Sequence, residues 1–251
     1  MLSSRVAPKV RRAIAHAPLR QLSPLGRYRA TPGRLVVDGD LVLSSTGGDD
    51  SEDNTAFVLG PEEPRQVFAL ADRFFGRSTY AVVIEQESAS AMQRELETRG
   101  WQQQETEPVL VMAPIPAAPT AAHRLRIQKV NSQADLDTFL SLSHTAQRWI
   151  PSLQAAQDSD VALFVGYLPE GPIATSRLTR YGDVAEILGV ATLPTHRRQG
   201  IGTAMTWAAM TEAARLGCTA LTLNSSALGY GIYLRIGFVP VGHYLTYVQH
   251  R

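Results

Sequence analysis

Short apolar runs and helix-period stretches alternate through the second half of the chain. LRIQKV (125–130) reads as a strand, and Ser132 starts a helix with Asp135 at capping-box spacing. That helix is expected to run through DLDTFLSLSHTAQRWI (135–150). VALFVGYL (161–168) is a strand, and Pro169-Glu170-Gly171-Pro172 is a turn. IATSRLTRYG and VAEILGVATL are the next two strands, divided at Gly182-Asp183. A helix follows over Thr203–Gly217, then a buried strand ALTLN (220–224), a short helix ending at Gly237, and a last strand VPVGHYLTYV (239–248). The first half reads as a hairpin around Asp38-Gly39, a strand TAFVLG, a helix PRQVFALADRFFG, a strand YAVVIE, a helix ending at Gly100 and a strand PVLVMAP. Strands and helices alternating in this way imply an α/β (α+β) fold, a mixed central sheet flanked by helices.

Between the halves, Ala113–His123 (APIPAAPTAAH) is rich in proline and poor in charge. Proline disfavours both helix interior and central strand, so this is an extended linker between 1–112 and 124–251. The two halves end alike. AVVIE, a helix, Gly100-Trp101 and a strand parallel ALTLN, a helix, Gly237-Phe238 and a strand. That similarity suggests two copies of one fold in tandem.

The densest chemistry lies in Val190–Ala204, VATLPTHRRQGIGTA. A β-rich run stops at Pro194; a basic loop follows, then Gly200 and Gly202, then a helix-former run. Glycines there allow positive φ and let an anion approach the backbone, and the helix N-terminus adds donors and a favourable dipole. Two other phosphate loops fit less well. A Walker A loop needs a lysine that Gly202-Thr203-Ala204 lacks, and a dinucleotide fingerprint needs a third glycine where Met205 stands. A plain glycine-rich turn remains open.

The Arg-x-x-Gly-x-Gly spacing of Arg197, Gly200 and Gly202 resembles the acyl-CoA pyrophosphate loop of the GNAT superfamily of N-acetyltransferases. Tyr233-Leu-Arg-Ile-Gly-Phe238, on the helix after a strand ending in Asn224, resembles that superfamily's C-terminal motif. The resemblance covers about 124–248 well and 1–112 faintly. It implies two GNAT-like copies in tandem, with 124–251 the catalytic domain. The first copy is degenerate: it lacks the glycine loop and carries Leu96 where the second has Tyr233.

The resemblance also implies that Arg197, Arg198, Gln199, Gly200, Ile201, Gly202 and Thr203 hold the pyrophosphate of acetyl-CoA, and that Val190 and Thr192 of the preceding strand line the pantetheine arm. Val190 N–H would meet the oxyanion, Asn224 would contact the cofactor, and Tyr233 would protonate the departing thiolate. A phenol with pKa about 10 holds its proton at neutral pH and can act as general acid. The alternative for Tyr233 is a core residue of a short helix, with Tyr230 one turn earlier as its substitute. Gly189 inside an apolar strand is consistent with a bulge. Glu186 on that strand is the best-placed carboxylate for a general base, although edge exposure would explain it equally. His144, Arg148 and Trp149 fall where the superfamily lines its acceptor pocket.

Composition narrows the remainder. The formal net charge of +1 gives no global field to recruit nucleic acid or a membrane. One cysteine, Cys218, allows no intrachain disulfide, so a cytoplasmic setting fits; Cys218 reads as core filler. Scattered histidines show no metal spacing. The N-terminus carries Arg5, Lys9, Arg11 and Arg12 with no acid before Asp38. It is either a transit peptide or an amphipathic helix turning Val6, Val10, Ala13 and Ile14 inward. The resulting expectation is transfer of an acetyl group from acetyl-CoA to an amine of a small molecule or peptide, in a ternary complex, with room for a homodimer. The alternative is a non-catalytic acyl-CoA-binding regulatory or interaction module.

Overall fold

The computed structural model describes residues 7–21, 23–28, 33–87, 89–119, 124–143 and 152–249. Helix α1 spans Pro8–His16. Strands β1 (Arg34–Asp38), β2 (Leu41–Ser45) and β3 (Asn54–Val58) lead to α2 (Pro64–Phe75), β4 (Ala81–Glu85), α3 (Ser90–Thr98) and β5 (Gln102–Met112). The second half runs β6 (Arg126–Lys129), α4 (Gln133–Leu142), α5 (Leu153–Ala156), β7 (Val161–Leu168), β8 (Gly171–Tyr181), β9 (Val184–Thr192), α6 (Ile201–Arg215), β10 (Ala220–Asn224), α7 (Ala227–Ile236) and β11 (Val239–Val248). The expected capping box is present: the Ser132 hydroxyl accepts from Asp135 N–H, and the Asp135 carboxylate accepts from Ser132 N–H.

The described strands form one sheet in the order β1-β2-β3-β4-β11-β5-β10-β9-β8-β7-β6. The order repeats in each half. A parallel pair, β3 with β4 and β9 with β10, follows antiparallel strands. The final strands are exchanged. β5, from the first half, lies between β10 and β11; β11, from the second, lies between β4 and β5. Neither final strand pairs within its own half, so each half's sheet is completed by the other.

Alternation along the strands divides the core between two faces. Leu110 and Met112 of β5 pack with Met205 and Ala209 of α6 and Tyr233 of α7. Val109 and Val111 point the other way, toward Ile14 and Ala15 of α1. On β4, Val82 and Ile84 meet Val67 and Phe68 of α2 and Leu96 of α3. Helices α2, α3, α6 and α7 therefore cover one face, and α1, α4 and α5 the other. Packing under α6 is close: a Cβ on Gly166 of β7 would come within 2.8 Å of Met205 Sδ.

The basic N-terminal segment is a folded helix over its described part, but its orientation differs from the expectation. Val10 is 50% exposed and Ala13 is exposed, while Ile14, Ala15 and His16 are buried. Only the last turn reaches the sheet, where Arg12 Nε lies 3.1 Å from Glu85 Oε1. Val6 lies outside the described residues.

Candidate active site

β9 and β10 pair in parallel only from Val184/Ala220 to Glu186/Thr222, although β9 continues to Thr192. Past that point they lack a shared ladder. β9 also bulges against β8: Thr175 faces Ala191 and Arg177 faces Leu188, so Ser176 opposes both Gly189 and Val190. Gly189 has φ 56°, a left-handed conformation that glycine adopts freely. A bulge leaves one residue outside the ladder, and here it falls at Gly189-Val190.

The loop after β9 makes a short 3-10 turn over Pro194–His196 and then bends with φ 65° at Arg198 and 79° at Gly200. Left-handed residues at this spacing curl successive N–H groups toward one point, which suits an anion. The adjoining N-terminus of α6 reinforces this. In the second half, α4, α5 and α7 have first-turn N–H groups capped by Ser132, Ser152 and Ser226. Helix α6 has Gly200 at its N-cap and no side-chain cap. Its first N–H groups await an acceptor from outside the helix.

A cavity of about 620 Å³ opens over this terminus. Its walls include Val190 and Thr192 of β9, His196–Arg198 and Gly200–Thr203 of the loop and helix start, and one side of α7. Of the residues expected to bind cofactor, Val190, Thr192, Arg197, Arg198, Gly200, Ile201, Gly202, Thr203 and Tyr233 line it. Arg197 and Arg198 are exposed, with Arg197 Nε donating to Thr192 O at 3.2 Å. Gln199 is exposed on the loop, and neither it nor Asn224 is a wall residue. Sequence reasoning missed Ser226 at the N-cap of α7 and Gly231 and Arg235 on it; Arg235 stands two residues beyond Tyr233 in a run whose apolar character hid the mouth it faces. His196 is also at the wall, its Nε2 3.1 Å from Glu170 Oε1.

Tyr233 is 8% exposed and packs edge-on against Phe238, with ring centroids 5.8 Å apart. A Cβ on Gly229 would come within 2.9 Å of its ring, so that glycine makes room for the phenol one turn earlier. Burial raises its pKa to about 12, so the hydroxyl keeps its proton across the neutral range. Tyr230 is half-buried and is not a wall residue of this cavity.

A second cavity, of about 430 Å³, lies on the other side of the bulge. Leu142 and Ser143 at the end of α4, Ile173–Thr175 of β8 and Gly189–Pro194 line it. The two cavities share Val190, Ala191, Thr192 and Arg197. His144, Arg148 and Trp149 lie outside the described residues.

Glu186 borders neither cavity. It stands on the α1 face, beside Thr179 of β8 and Thr222 of β10. Burial raises its pKa to about 7; the Arg177 guanidinium pulls it down in part, and Glu107 pushes it up. Glu107, on β5, is itself shifted upward by burial first and by Glu105 second, and it accepts from Asn224 Nδ2 at 3.3 Å. No local motif could have announced Glu107, because the exchanged strand brings it from the other half of the chain. Cys218 is buried in the core as expected of a filler, and burial raises the pKa of its thiol. Among the described residues, no group of His, Cys, Asp and Glu could hold a metal ion, and no helix is long and apolar enough to cross a membrane.

The first half's counterpart of the glycine loop, between β3 and α2, reads Leu59-Gly60-Pro61-Glu62-Glu63-Pro64. Two prolines remove donors and two carboxylates repel phosphate. Leu96, in the place of Tyr233, is fully buried.

Comparison with known proteins agrees with this geometry. Residues 127–238 match the acetyltransferase (GNAT) family. No curated protein matches the sequence. Among solved structures, a GCN5-related N-acetyltransferase from Kribbella flavida superposes with TM-score 0.72 at 23% identity, covering 96% of each chain. A GCN5-related N-acetyltransferase-like protein from Streptococcus suis gives 0.58 at 13% identity, over 95% of this chain and 98% of that one. A tandem GNAT protein from the clavulanic acid biosynthesis pathway gives 0.57 at 12% identity, over 94% and 91%. The fold is thus shared along nearly the whole chain, and residues 127–238 form a domain that matches the acetyltransferase (GNAT) family.

Proposed function

We propose that this protein transfers an acetyl group from acetyl-CoA to the amine of a small molecule by direct attack in a ternary complex. The observation that carries the reading is the uncapped N-terminus of α6 beneath a loop with left-handed residues at Arg198 and Gly200. A diphosphate would supply the missing acceptors. Each charge-assisted hydrogen bond to it contributes about 1.5–3 kcal/mol, and the helix dipole about 0.3–1. The 620 Å³ cavity suits a donor of this size, and the residues present fit it. Acetyl-CoA supplies the activated acyl group.

The chain's own residues then divide the work. Val190 N–H, at the bulge between the two cavities, is the donor for the developing oxyanion. Tyr233 holds the proton that the sulfur needs as the C–S bond breaks. Glu186, with a pKa near 7, accepts a proton from the acceptor ammonium through water. The amine nitrogen forms the new C–N bond and loses two protons in all. One goes to Glu186 and on to solvent, and the other restores the Tyr233 phenol. Residues 124–251 carry this machinery; residues 1–112 contribute Glu107 and the strand beside β10, and no second donor site.

The test is calorimetric titration of acetyl-CoA, followed by a thiol-release screen of amines. Micromolar binding that disappears in Gly202→Asp, together with amine-dependent thiol release, supports the reading. Undiminished affinity in that variant would remove the loop assignment. Binding with no transfer to any amine, and no effect of Tyr233→Phe, would favour a regulatory acyl-CoA-binding module.

A further inference from the structure

Arg177 is an anomaly. It lies on β8, a strand with neighbours on both sides, and it is half-buried, with Nε the atom shut off from solvent. Its Nε is buried with no hydrogen-bond partner, and among the described residues its guanidinium makes no hydrogen bond or ion pair. Glu186 is its diagonal neighbour, because Arg177 faces Leu188 and Thr179 faces Glu186 across the β8–β9 ladder. The two charges feel each other without forming an ion pair. A guanidinium N–H shut off from water without an acceptor is unfavourable. A fold that keeps such a group is expected to satisfy it with something it binds.

The surroundings define what that is. Arg177 stands two residues from Thr175, and Glu186 three from Gly189; Thr175 and Gly189 both line the 430 Å³ cavity. At about 3.3 Å per strand residue, both charges lie within about 10 Å of that cavity's floor. Tyr181 and Tyr244 stand on the same face, and the buried Tyr244 hydroxyl also lacks a partner. The Glu107 carboxylate and Asn224 continue the polar row across β5 and β10. A guanidinium with an orphaned Nε and a carboxylate diagonal to it thus stand a few strand residues from a cavity suited to a small molecule and adjacent to the proposed oxyanion donor, although neither forms its wall.

We propose that the acceptor is a small amine bearing a carboxylate, an amino-acid-like zwitterion, and that Arg177 binds its carboxylate while Glu186 receives its ammonium. This assignment rests on the acetyl-transfer reading above and names its acceptor class. Arg is suited to the task, since its planar fork meets a carboxylate with two parallel N–H donors.

The experiment compares matched acceptors: a panel of amino acids, each beside its carboxamide and its decarboxylated amine. Thiol release and calorimetric binding in the presence of CoA are measured for wild type, Arg177→Met and Arg177→Lys. In wild type at least one acid is preferred over its amide by about 10- to 100-fold in kcat/KM or affinity, as loss of one charge-assisted contact implies. Arg177→Met abolishes that preference, chiefly through KM, leaves the affinity for acetyl-CoA unchanged, and does not lower Tm, because the side chain has no internal partner to lose. Arg177→Lys keeps part of the preference. A fall in Tm in Arg177→Met, with the preference intact in Arg177→Lys, would mean a structural role and overturn the proposal. So would acids and amides that bind or react equally well, or no carboxylate-dependent binding in any variant. If acetyl-CoA itself does not bind, the transfer reading falls first, and that outcome is read separately in the titration without acceptor.

Discussion

Replacing Glu186 by glutamine separates charge from shape at one position. The native carboxyl titrates near pH 7 against an ordinary value of 4.5, chiefly because burial disfavours its charge. At about 1.4 kcal/mol per pH unit, that displacement amounts to about 3 kcal/mol. The sign follows from which state binds more protons. Below about pH 4.5 both folded and unfolded carboxyls are protonated, and nothing is lost. Between about pH 4.5 and 7 the unfolded chain releases its proton while the native chain holds it, so wild-type stability falls as pH rises. Above about pH 7 the full penalty is present. Glutamine never ionises, so Glu186→Gln should match wild type near pH 4.5 and exceed it by up to about 3 kcal/mol at pH 8. Urea denaturation at pH 4.5, 6 and 8 measures this directly. The same variant should lose the ascending limb of the kcat/KM profile, centred near pH 7 in wild type, and with it about 10²–10⁴-fold of rate. A stability difference independent of pH would refute the enclosed-carboxylate account. An unaltered rate profile would remove Glu186 from the chemistry even if the stability result held.

Other substitutions probe the remaining parts. Gly202→Asp puts a carboxylate where phosphate is expected and should weaken acetyl-CoA binding by at least about 100-fold in calorimetry, the equivalent of one lost charge-assisted contact and added repulsion. Gly202→Ala is the milder control, since its Cβ meets only Ile232 Cδ1 at 3.3 Å. Tyr233→Phe should lower kcat by about 10²–10⁴-fold and leave the affinity for acetyl-CoA unchanged, as a general acid and not a binding group would. Gly189→Val should lose roughly 1–2 kcal/mol from forcing φ 56° on a branched residue, with a larger loss in kcat than in Tm would suggest, because the bulge positions Val190. A fragment of residues 124–251 should fail to give a cooperative unfolding transition, since β10 and β11 both lose β5 as a neighbour.

Much of the fold was legible because local rules and tertiary context agree there. The Ser132–Asp135 capping box, the turn at Gly39, the bulge at Gly189 and the helix end at Gly237 each depend on residues within a few positions of one another. The Gly200–Gly202 loop, with its left-handed Gly200 leading into a helix, was readable for the same reason: the residues that form this part of the cavity wall are contiguous. What stayed hidden depends on partners far along the chain. QQQETE (102–107) carries no strand pattern, yet it extends β5 because Tyr244–Val248 of β11 lies alongside it. Helix α1 was assigned its inward face from apolar spacing alone, whereas its angle follows from Arg12 and His16 meeting Glu85 on a strand seventy residues on. The polar row beneath α1 was invisible for both reasons together. Its members come from β8, β9, β10, β5 and β11, and only the exchange of final strands puts them on one face.

That exchange also gives the first half a reason to persist without a donor site of its own. Its loop Gly60–Pro64 is acidic and proline-bearing, and Leu96 stands where the second half has Tyr233, so it lacks the counterparts of the residues proposed to act in the second half. Yet β5 supplies the antiparallel neighbour of β10, the strand whose divergence from β9 opens the site, and it carries Glu107 to the same face as Glu186. Removing Glu107 would relieve a charge that helps hold Glu186 near pH 7 and would strip Asn224 of its hydrogen-bond partner. The pKa of the proposed base in one half is thus set in part by a carboxylate from the other. The first half thus acts as a wall and an electrostatic neighbour of the proposed site, in keeping with a continuous sheet in which neither half closes alone.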